Sequence, residues 1–203
     1  MKRIQKKPDS EILAKTLRYI VGNSANNKTI SEILFNEQNG FCAYTEEYLG
    51  RADARDIEHF NPKLKGKKED NYDNWFLVKH QPNKKKASKW DKFQPVLHPT
   101  ATDFEKRIIY DGGDYRVHSD TDTEAKHLVE LLNLDDAILA DERKRYIKRK
   151  RDEMDKYGTV AKTFFQDLIE INLKQISYLR AIDEEFDISI VEMINDYKAG
   201  NDG

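Results

Sequence analysis

The chain has 203 residues, a net charge of -2, 38% apolar residues and 35% charged residues, enough for one compact domain, or a small domain with a helical extension, under a heavily solvated surface. No apolar run approaches the roughly 18 residues needed to span a bilayer, and the basic opening MKRIQKKPDS is not followed by the apolar stretch of a secretory signal. The single cysteine, Cys42, excludes an intrachain disulfide, so the expected setting is cytoplasmic and away from membranes.

In chain order, Ser10 to Val21 carries Ile12, Leu13, Leu17, Ile20 and Val21 at helical spacing, with Asp9 or Ser10 as N-cap. Thr29 to Gln38 reads as a second helix, stopped by Asn39-Gly40. Phe41 to Leu49 is aromatic-rich and reads as a strand pair or a loop. Ile57 to Phe60 is a short apolar strand end, halted by Asn61-Pro62. Lys63 to Asp73 is a lysine-rich loop, with Asp70 and Asp73 as turn residues. Trp75 to Val78 is long enough for one strand, and Asn83 to Trp90 can form a short helix. Arg107 to Tyr110 and Tyr115 to His118 flank Asp111-Gly112-Gly113-Asp114, the pattern of a hairpin. Beyond Thr123 the pattern is helical, with a last short helix near Ile188 to Tyr197. The expected organisation is N-terminal helices over 1–40, a functional core over 41–92, a hairpin with helical support over 93–151, and an acidic helical extension over 152–203.

The small net charge hides a segregation. Asn61 to Lys92 holds ten Lys against four acids, and Glu142 to Arg151 holds seven Lys or Arg against one Glu, whereas Asp152 to Gly203 holds twelve acids against five bases. Two basic zones fit a polyanion-binding body; for the second, a solvated helix face that pairs its charges internally fits equally well. The acidic end bears a stripe of Phe164, Phe165, Leu168, Ile171 and Ile176. That stripe needs an apolar face, on this chain or on another subunit. The expectation is that at least its outer face docks a protein.

The informative stretch is IEHFNPKLKGKKEDNYDNWFLVKHQPNKKK. Glu58-His59 sits at the end of a predicted strand, Asn74 lies fifteen residues after His59, just before the second strand, and Asn83 lies nine residues further on, at the start of a predicted helix. Such residues suit phosphodiester cleavage. A neutral imidazole can take a proton from water near pH 7. A carboxylate with an amide carbonyl offers the hard oxygen donors that Mg²⁺ takes, leaving room for water and phosphate. Lys63, Lys65, Lys84, Lys85, Lys86 and Lys89 flank the stretch and are candidates for phosphate contacts that carry no sequence information. No glycine-rich phosphate loop is present, so ATP hydrolysis is not expected of this chain.

This pattern resembles the HNH nuclease motif. The wider matches, MKRIQK, FCAYTEE, IEHFNPK, NYDNWFLV, Asn83 with Lys86, RIIYDGGDYRV and EAKHLVELLNLDDAILADER, resemble the HNH subunit of Septu-type anti-phage systems (PtuB-like), also found with some retrons. The resemblance covers roughly Met1 to Arg151. It implies an α+β fold, mainly helical, with a central ββα-metal motif and an extra β-hairpin. It also implies that His59 is the general base, that Asn74 holds the loop bearing it, and that Glu58 and Asn83 hold one Mg²⁺ or Mn²⁺ ion. Adjacent strand residues point opposite ways, so Glu58 and His59 reach one ion only if the chain bends there. Many small HNH proteins carry two C-x-x-C pairs; here only Cys42 remains, so a structural zinc lacks its ligands, and packing by Phe41, Tyr44, Tyr48, Trp75 and Phe76 is expected in its place. The resemblance further implies a DNA endonuclease working beside an ABC-type ATPase (PtuA-like). An inactive HNH-fold binding subunit and an HNH RNase remain as alternatives.

Overall fold

The computed structural model describes residues 1–80 and 89–201. The predicted helix at Asn83, and Asn83, Lys84, Lys85 and Lys86 with it, lie outside the described residues.

The first predicted helix is much shorter than its periodicity suggests. Ser10 caps it, accepting from Ile12 N, but α1 covers only Glu11–Ala14. Thr16 then takes a left-handed conformation, φ 48°, and Leu17 N closes back on Ile12 O, so Leu13, Ile20 and Val21 end exposed while Ile12 is buried. The second begins earlier than its apolar spacing marks: α2 is Ser24–Glu37, capped by Asn23 through Asn26 N. Gly40 ends this segment at φ +85°, where a Cβ would lie 2.8 Å from the Tyr48 ring, so glycine is required on both counts.

Between Phe41 and Leu49 the chain forms a tight loop tied by one isolated bridge, Phe41 to Tyr48. Then β1 (Arg55–His59) pairs antiparallel with β2 (Trp75–Lys79), Ile57 opposite Leu77 and His59 opposite Trp75. After a short 3-10 turn at Trp90–Phe93 come α3 (Phe104–Arg107), β3 (Ile108–Asp111) and β4 (Asp114–Val117). The predicted second hairpin forms with its turn on Gly112-Gly113. Gly113 has φ +97° and packs against Ala140 O, which a Cβ would meet at 2.9 Å.

The rest is helical: α4 (Thr123–Leu132), α5 (Ala137–Tyr157), α6 (Ala161–Asn172), α7 (Leu179–Phe186) and α8 (Ile190–Asn201). The fold is thus α+β, with two small antiparallel hairpins. No described helix is long and apolar enough to cross a membrane.

Two apolar cores result. The first gathers Ile30, Leu34, Trp75, Phe76, Leu77, Phe104, Ile108 and Leu128 around both hairpins. The second gathers Ile147, Phe165, Ile169, Ile176, Ile182, Ile190 and Ile194, with Phe41 from the aromatic loop. Most of the acidic-end stripe therefore closes on this chain: Phe164, Phe165 and Ile176 are buried and Leu168 is half-buried against the second core, with Ile169, beside the stripe, buried as well. Ile171 breaks the expected stripe, since it is 83% exposed. Between the cores sit buried charges. Glu46 accepts from Tyr115 Oη at 2.9 Å and from Lys2 N at 2.6 Å. Arg180 donates to Ile108 O at 2.6 Å and Glu105 O at 3.2 Å. Both are almost fully buried, so every polar atom there needs a partner.

Candidate active site

The site is built on the closed end of the β1–β2 hairpin. Pairing continues past β1, because Phe60 N donates to Asn74 O at 2.8 Å. No bend therefore falls between Glu58 and His59; the chain turns one step later, at Asn61-Pro62, where Asn61 caps a 3-10 turn over Pro62–Leu64. By strand alternation the two side chains leave opposite faces of β1. Glu58 is half-buried, and its negative charge acts on both the Tyr44 hydroxyl and His59.

Asn74 clasps the turn that follows His59. Its Oδ1 accepts from Asn61 N at 2.7 Å and its Nδ2 donates to Asn61 O at 3.2 Å, so one amide side chain satisfies both backbone groups of Asn61, a reciprocal pair that only Asn or Gln can make. The same Nδ2 donates to Asp70 Oδ1 at 2.9 Å.

Asp70 is not the exposed turn residue that its loop setting suggests. It is 3% exposed. Trp75 Nε1 donates to Oδ1 at 2.7 Å and Gly66 N to Oδ2 at 3.3 Å, while Oδ2 lies 3.0 Å from His59 Nε2. That approach has ion-pair distance but not hydrogen-bond alignment. Arg18 holds the loop from outside, donating to Lys68 O and Asp70 O. The His59 ring is 4% exposed and stands edge-on to Tyr19, centroids 4.5 Å apart. Burial lowers the His59 pKa below the ordinary histidine value, opposed by the charge of Asp70. The ring is therefore neutral at pH 7.

The structure thus brings His59, Asn74 and Asp70 together, and places Glu58 next to His59 in β1 but on the strand's opposite face. Asp70 escapes sequence reasoning because a carboxylate in a lysine-rich loop reads as solvated; the usable signal is Trp75, whose buried indole N–H demands an acceptor. Of the lysines, Lys63 pairs with Asp91 at 2.5 Å, Lys65 lies over the Tyr19 ring at 5.3 Å, and Lys89 is exposed. His80 is exposed at the other end of the hairpin, 2.6 Å from Asp56.

Cys42 is buried and its Sγ accepts from Lys79 N at 3.3 Å. Tyr44 packs on Phe76, centroids 6.1 Å apart, and Phe41 on Tyr48 at 5.6 Å. Among the described residues no group of three His, Cys, Asp or Glu is placed to hold a metal ion. Glu58 supplies one hard oxygen donor, chemically suited to a divalent ion, and its expected companion, Asn83, is outside the described residues. Compared with family models, curated proteins and solved structures, the chain gave no match.

Proposed function

We propose that this chain is an HNH-type, metal-dependent endonuclease that hydrolyses DNA phosphodiesters, with its ββα-metal centre at the end of the β1–β2 hairpin. The observation that supports this best is the clasp at the strand end: His59 stands on β1 with Glu58 beside it, and Asn74 fixes the turn that follows through both backbone groups of Asn61. A ring kept neutral at pH 7 by burial is ready to accept a proton from water. Glu58 and Asn83 are the residues that would hold one Mg²⁺ or Mn²⁺. Bound there, the ion supplies charge neutralisation for the phosphate and the departing oxygen. Lys63, Lys65 and Lys89, together with Lys84, Lys85 and Lys86, would hold neighbouring phosphates without reading sequence. The resemblance to the HNH subunit of Septu-type systems extends the proposal to anti-phage defence beside an ABC-type ATPase.

Two observations favour a second reading, a nucleic-acid-binding subunit whose centre does not cut by itself: no bend lies between Glu58 and His59, so their side chains leave opposite faces of β1, and the base is buried. The His59 ring is 4% exposed, and a base has to meet the water it deprotonates. The test is incubation with plasmid, linear DNA and structured RNA, in Mg²⁺, in Mn²⁺ and in EDTA, with and without an ABC-type ATPase partner. Cleavage that needs the ion and drops by about 10²–10⁴ in His59→Ala, with nucleic-acid binding retained, is the expected result. Undiminished cutting in EDTA or by His59→Ala sinks the assignment, and binding without cutting under every condition favours the second reading.

A further inference from the structure

We infer that the turn over residues 17–22, beside His59, is a duplex-binding wedge: its exposed Ile20 and Val21 enter the base stack of a double-stranded nucleic acid whose phosphates the neighbouring lysines hold. The inference rests on the nuclease reading above for its class of substrate, and it names the form in which that substrate is bound. The turn is fixed by side chains of α2. Asn26 Nδ2 donates to Arg18 O at 2.6 Å and Asn27 Nδ2 to Ile20 O at 2.7 Å, while Asn27 Oδ1 accepts from Ile20 N at 3.0 Å. Two asparagines thus satisfy three backbone groups, and the turn is ordered before any partner arrives, which lowers the entropic cost of binding. On that frame Ile20 is 46% and Val21 68% exposed. Tyr19, one residue before them, is the ring that stands edge-on to His59 at 4.5 Å, so the apolar tip is tied to the candidate site.

The surroundings of the tip are basic. A Cβ on Gly66 would lie 3.4 Å from Val21 Cγ2, so Val21 meets the lysine-rich loop. Arg18 donates to Lys68 O at 3.2 Å and to Asp70 O at 3.4 Å, and Lys65 Nζ lies 5.3 Å from the Tyr19 ring centroid. Lys65, Lys67 and Lys68 are exposed. Of the two acids in that loop, Asp70 is buried and Glu69 approaches Lys68 at 3.8 Å. Within the turn itself Arg18 is the sole charged residue. An aliphatic tip ringed by cations complements a ligand with dense negative charge outside and apolar faces inside, which is the chemistry of a nucleic acid. A single strand is held chiefly by aromatic rings on which its bases stack, and the ring of this turn, Tyr19, is taken up by His59 and Lys65. Aliphatic side chains act on a duplex instead, by parting a base step and kinking the helix. The lysines fix the backbone, the tip opens a step beside it, and the phosphates of that step come to lie next to His59.

The experiment uses the full chain in EDTA, so that binding is read without cleavage. The probe is a DNA duplex with 2-aminopurine in place of adenine at TA steps, which unstack readily; the fluorescence of this base rises when it leaves the stack. Wild type is expected to raise it on binding. The double variant Ile20→Ser with Val21→Ser should give no rise and bind about 10-fold more weakly, with its slope of log K against log salt unchanged because the lysines remain. Ile20→Leu with Val21→Ile keeps an apolar tip and should behave as wild type. Both positions are exposed, so both variants should melt with wild type. Wild-type affinity and fluorescence in the serine variant overturn the inference. So does tighter wild-type binding to the single strand than to the duplex, or a serine variant that loses anionic phospholipid vesicles rather than DNA. Cleavage in Mg²⁺ or Mn²⁺ separates this inference from the nuclease reading. A wild type that cuts with no rise in fluorescence removes the wedge and leaves the nuclease. A rise with no cutting in either metal keeps the wedge and favours the binding-subunit reading.

Discussion

The two cores of this molecule use buried polarity in opposite ways. Around the β1–β2 hairpin, buried polar groups are concentrated on one histidine: Asn74, Asp70 and the Trp75 indole all converge on the strand end that carries His59. In the C-terminal core the cluster is apolar, mostly Ile and Phe with Tyr146 and Tyr178; Arg143 and Lys150 of α5 are buried at its edge, and most other charges lie on the helix surface. There Lys148 pairs with Asp152 at 2.9 Å, Arg151 with Glu185 at 2.6 Å, and Arg145 with Asp141. A polar interior is harder to stabilise than an apolar one, so it persists where a particular geometry has to be held. Under the proposed function the first core carries the chemistry and the second supports it, with Glu46, Tyr115 and Arg180 as the join.

The most drastic way to break that division is to remove the support. Truncation after Arg151 deletes Phe164, Phe165, Ile169, Ile176, Ile182, Ile190 and Ile194 from the second core and takes Arg180 from the join. Each buried Ile or Phe contributes about 1.5–3 kcal/mol by burial, and the seven together, about 10–21 kcal/mol, match or exceed the ~5–15 kcal/mol net stability of a whole domain. The expected outcome is insoluble or unfolded protein, read by size-exclusion chromatography and circular dichroism. A soluble, cooperatively melting 1–151 fragment would show that the helices beyond it are an appendage after all. The expectation that this end docks a partner is weakened for the stripe itself, which is already covered by this chain.

The sequence reveals more of the hairpin half than of the helical half. Glu58-His59 before Asn61-Pro62, and Asn74 before Trp75, mark both strand ends because Pro and Asn punctuate pairing there. What periodicity cannot show is where apolar stripes go. Ile12 to Val21 has helical spacing, yet a left-handed Thr16 ends the helix after one turn, since a short isolated helix has little intrinsic stability and tertiary packing decides its length. The stripe of α6 is compatible with an own-chain face or a foreign one, and only the placement of Phe41 and α8 decides between them. Asp70 is hidden for a related reason. Its partners are local in space and in sequence, but nothing in a run of lysines announces a buried carboxylate.

A smaller effect sharpens the claim that the hairpin half tolerates buried charge. Lys6 lies between the Tyr72 and Phe76 rings, 4.3 and 4.2 Å from their centroids, and donates to Trp75 O. Burial lowers its pKa to about 7. In the unfolded chain the value is about 10.4. Below pH 7 both states carry the proton, and the folded state bears the full cost of a buried ammonium. Between pH 7 and about 10.4 the unfolded state holds more protons, so stability rises with pH. Lys6→Met should therefore stabilise by about 1–3 kcal/mol at pH 6, less than burial alone implies because the ammonium's attraction to both rings and its hydrogen bond disappear with it. The gain should shrink toward pH 10, read by urea melts across that range. A gain that does not depend on pH would mean that Lys6 keeps its ordinary pKa in the fold and stays charged across that range.

The smallest effect tests whether the two basic stretches do different work. Each has a formal excess of six positive charges, and composition alone makes both look like nucleic-acid surfaces. On α5, however, Arg143 and Lys150 are buried. Four more of its bases are spent on carboxylates: Arg145, Lys148 and Arg151 as above, and Arg149 toward Glu153 at 3.9 Å. A base already paired releases little when a phosphate replaces its carboxylate, so it contributes little to the salt dependence of binding. Near the site, Lys65 faces a ring and Lys89 is exposed. Every lysine–phosphate pairing removed should reduce the slope of log K against log salt by about 0.9 on duplex DNA. Replacing Arg145, Lys148 and Arg149 together by Ala should leave the slope within error and shift stability by only about 0.3–0.5 kcal/mol per pair. Replacing Lys65 and Lys89 should lower the slope by about 2, and adding Lys63, already paired with Asp91, should change it little. Fluorescence-anisotropy titrations of a labelled duplex at several salt concentrations read both. If the α5 triple variant shows the larger drop in slope, the helical half is a binding surface and the division between the two cores fails.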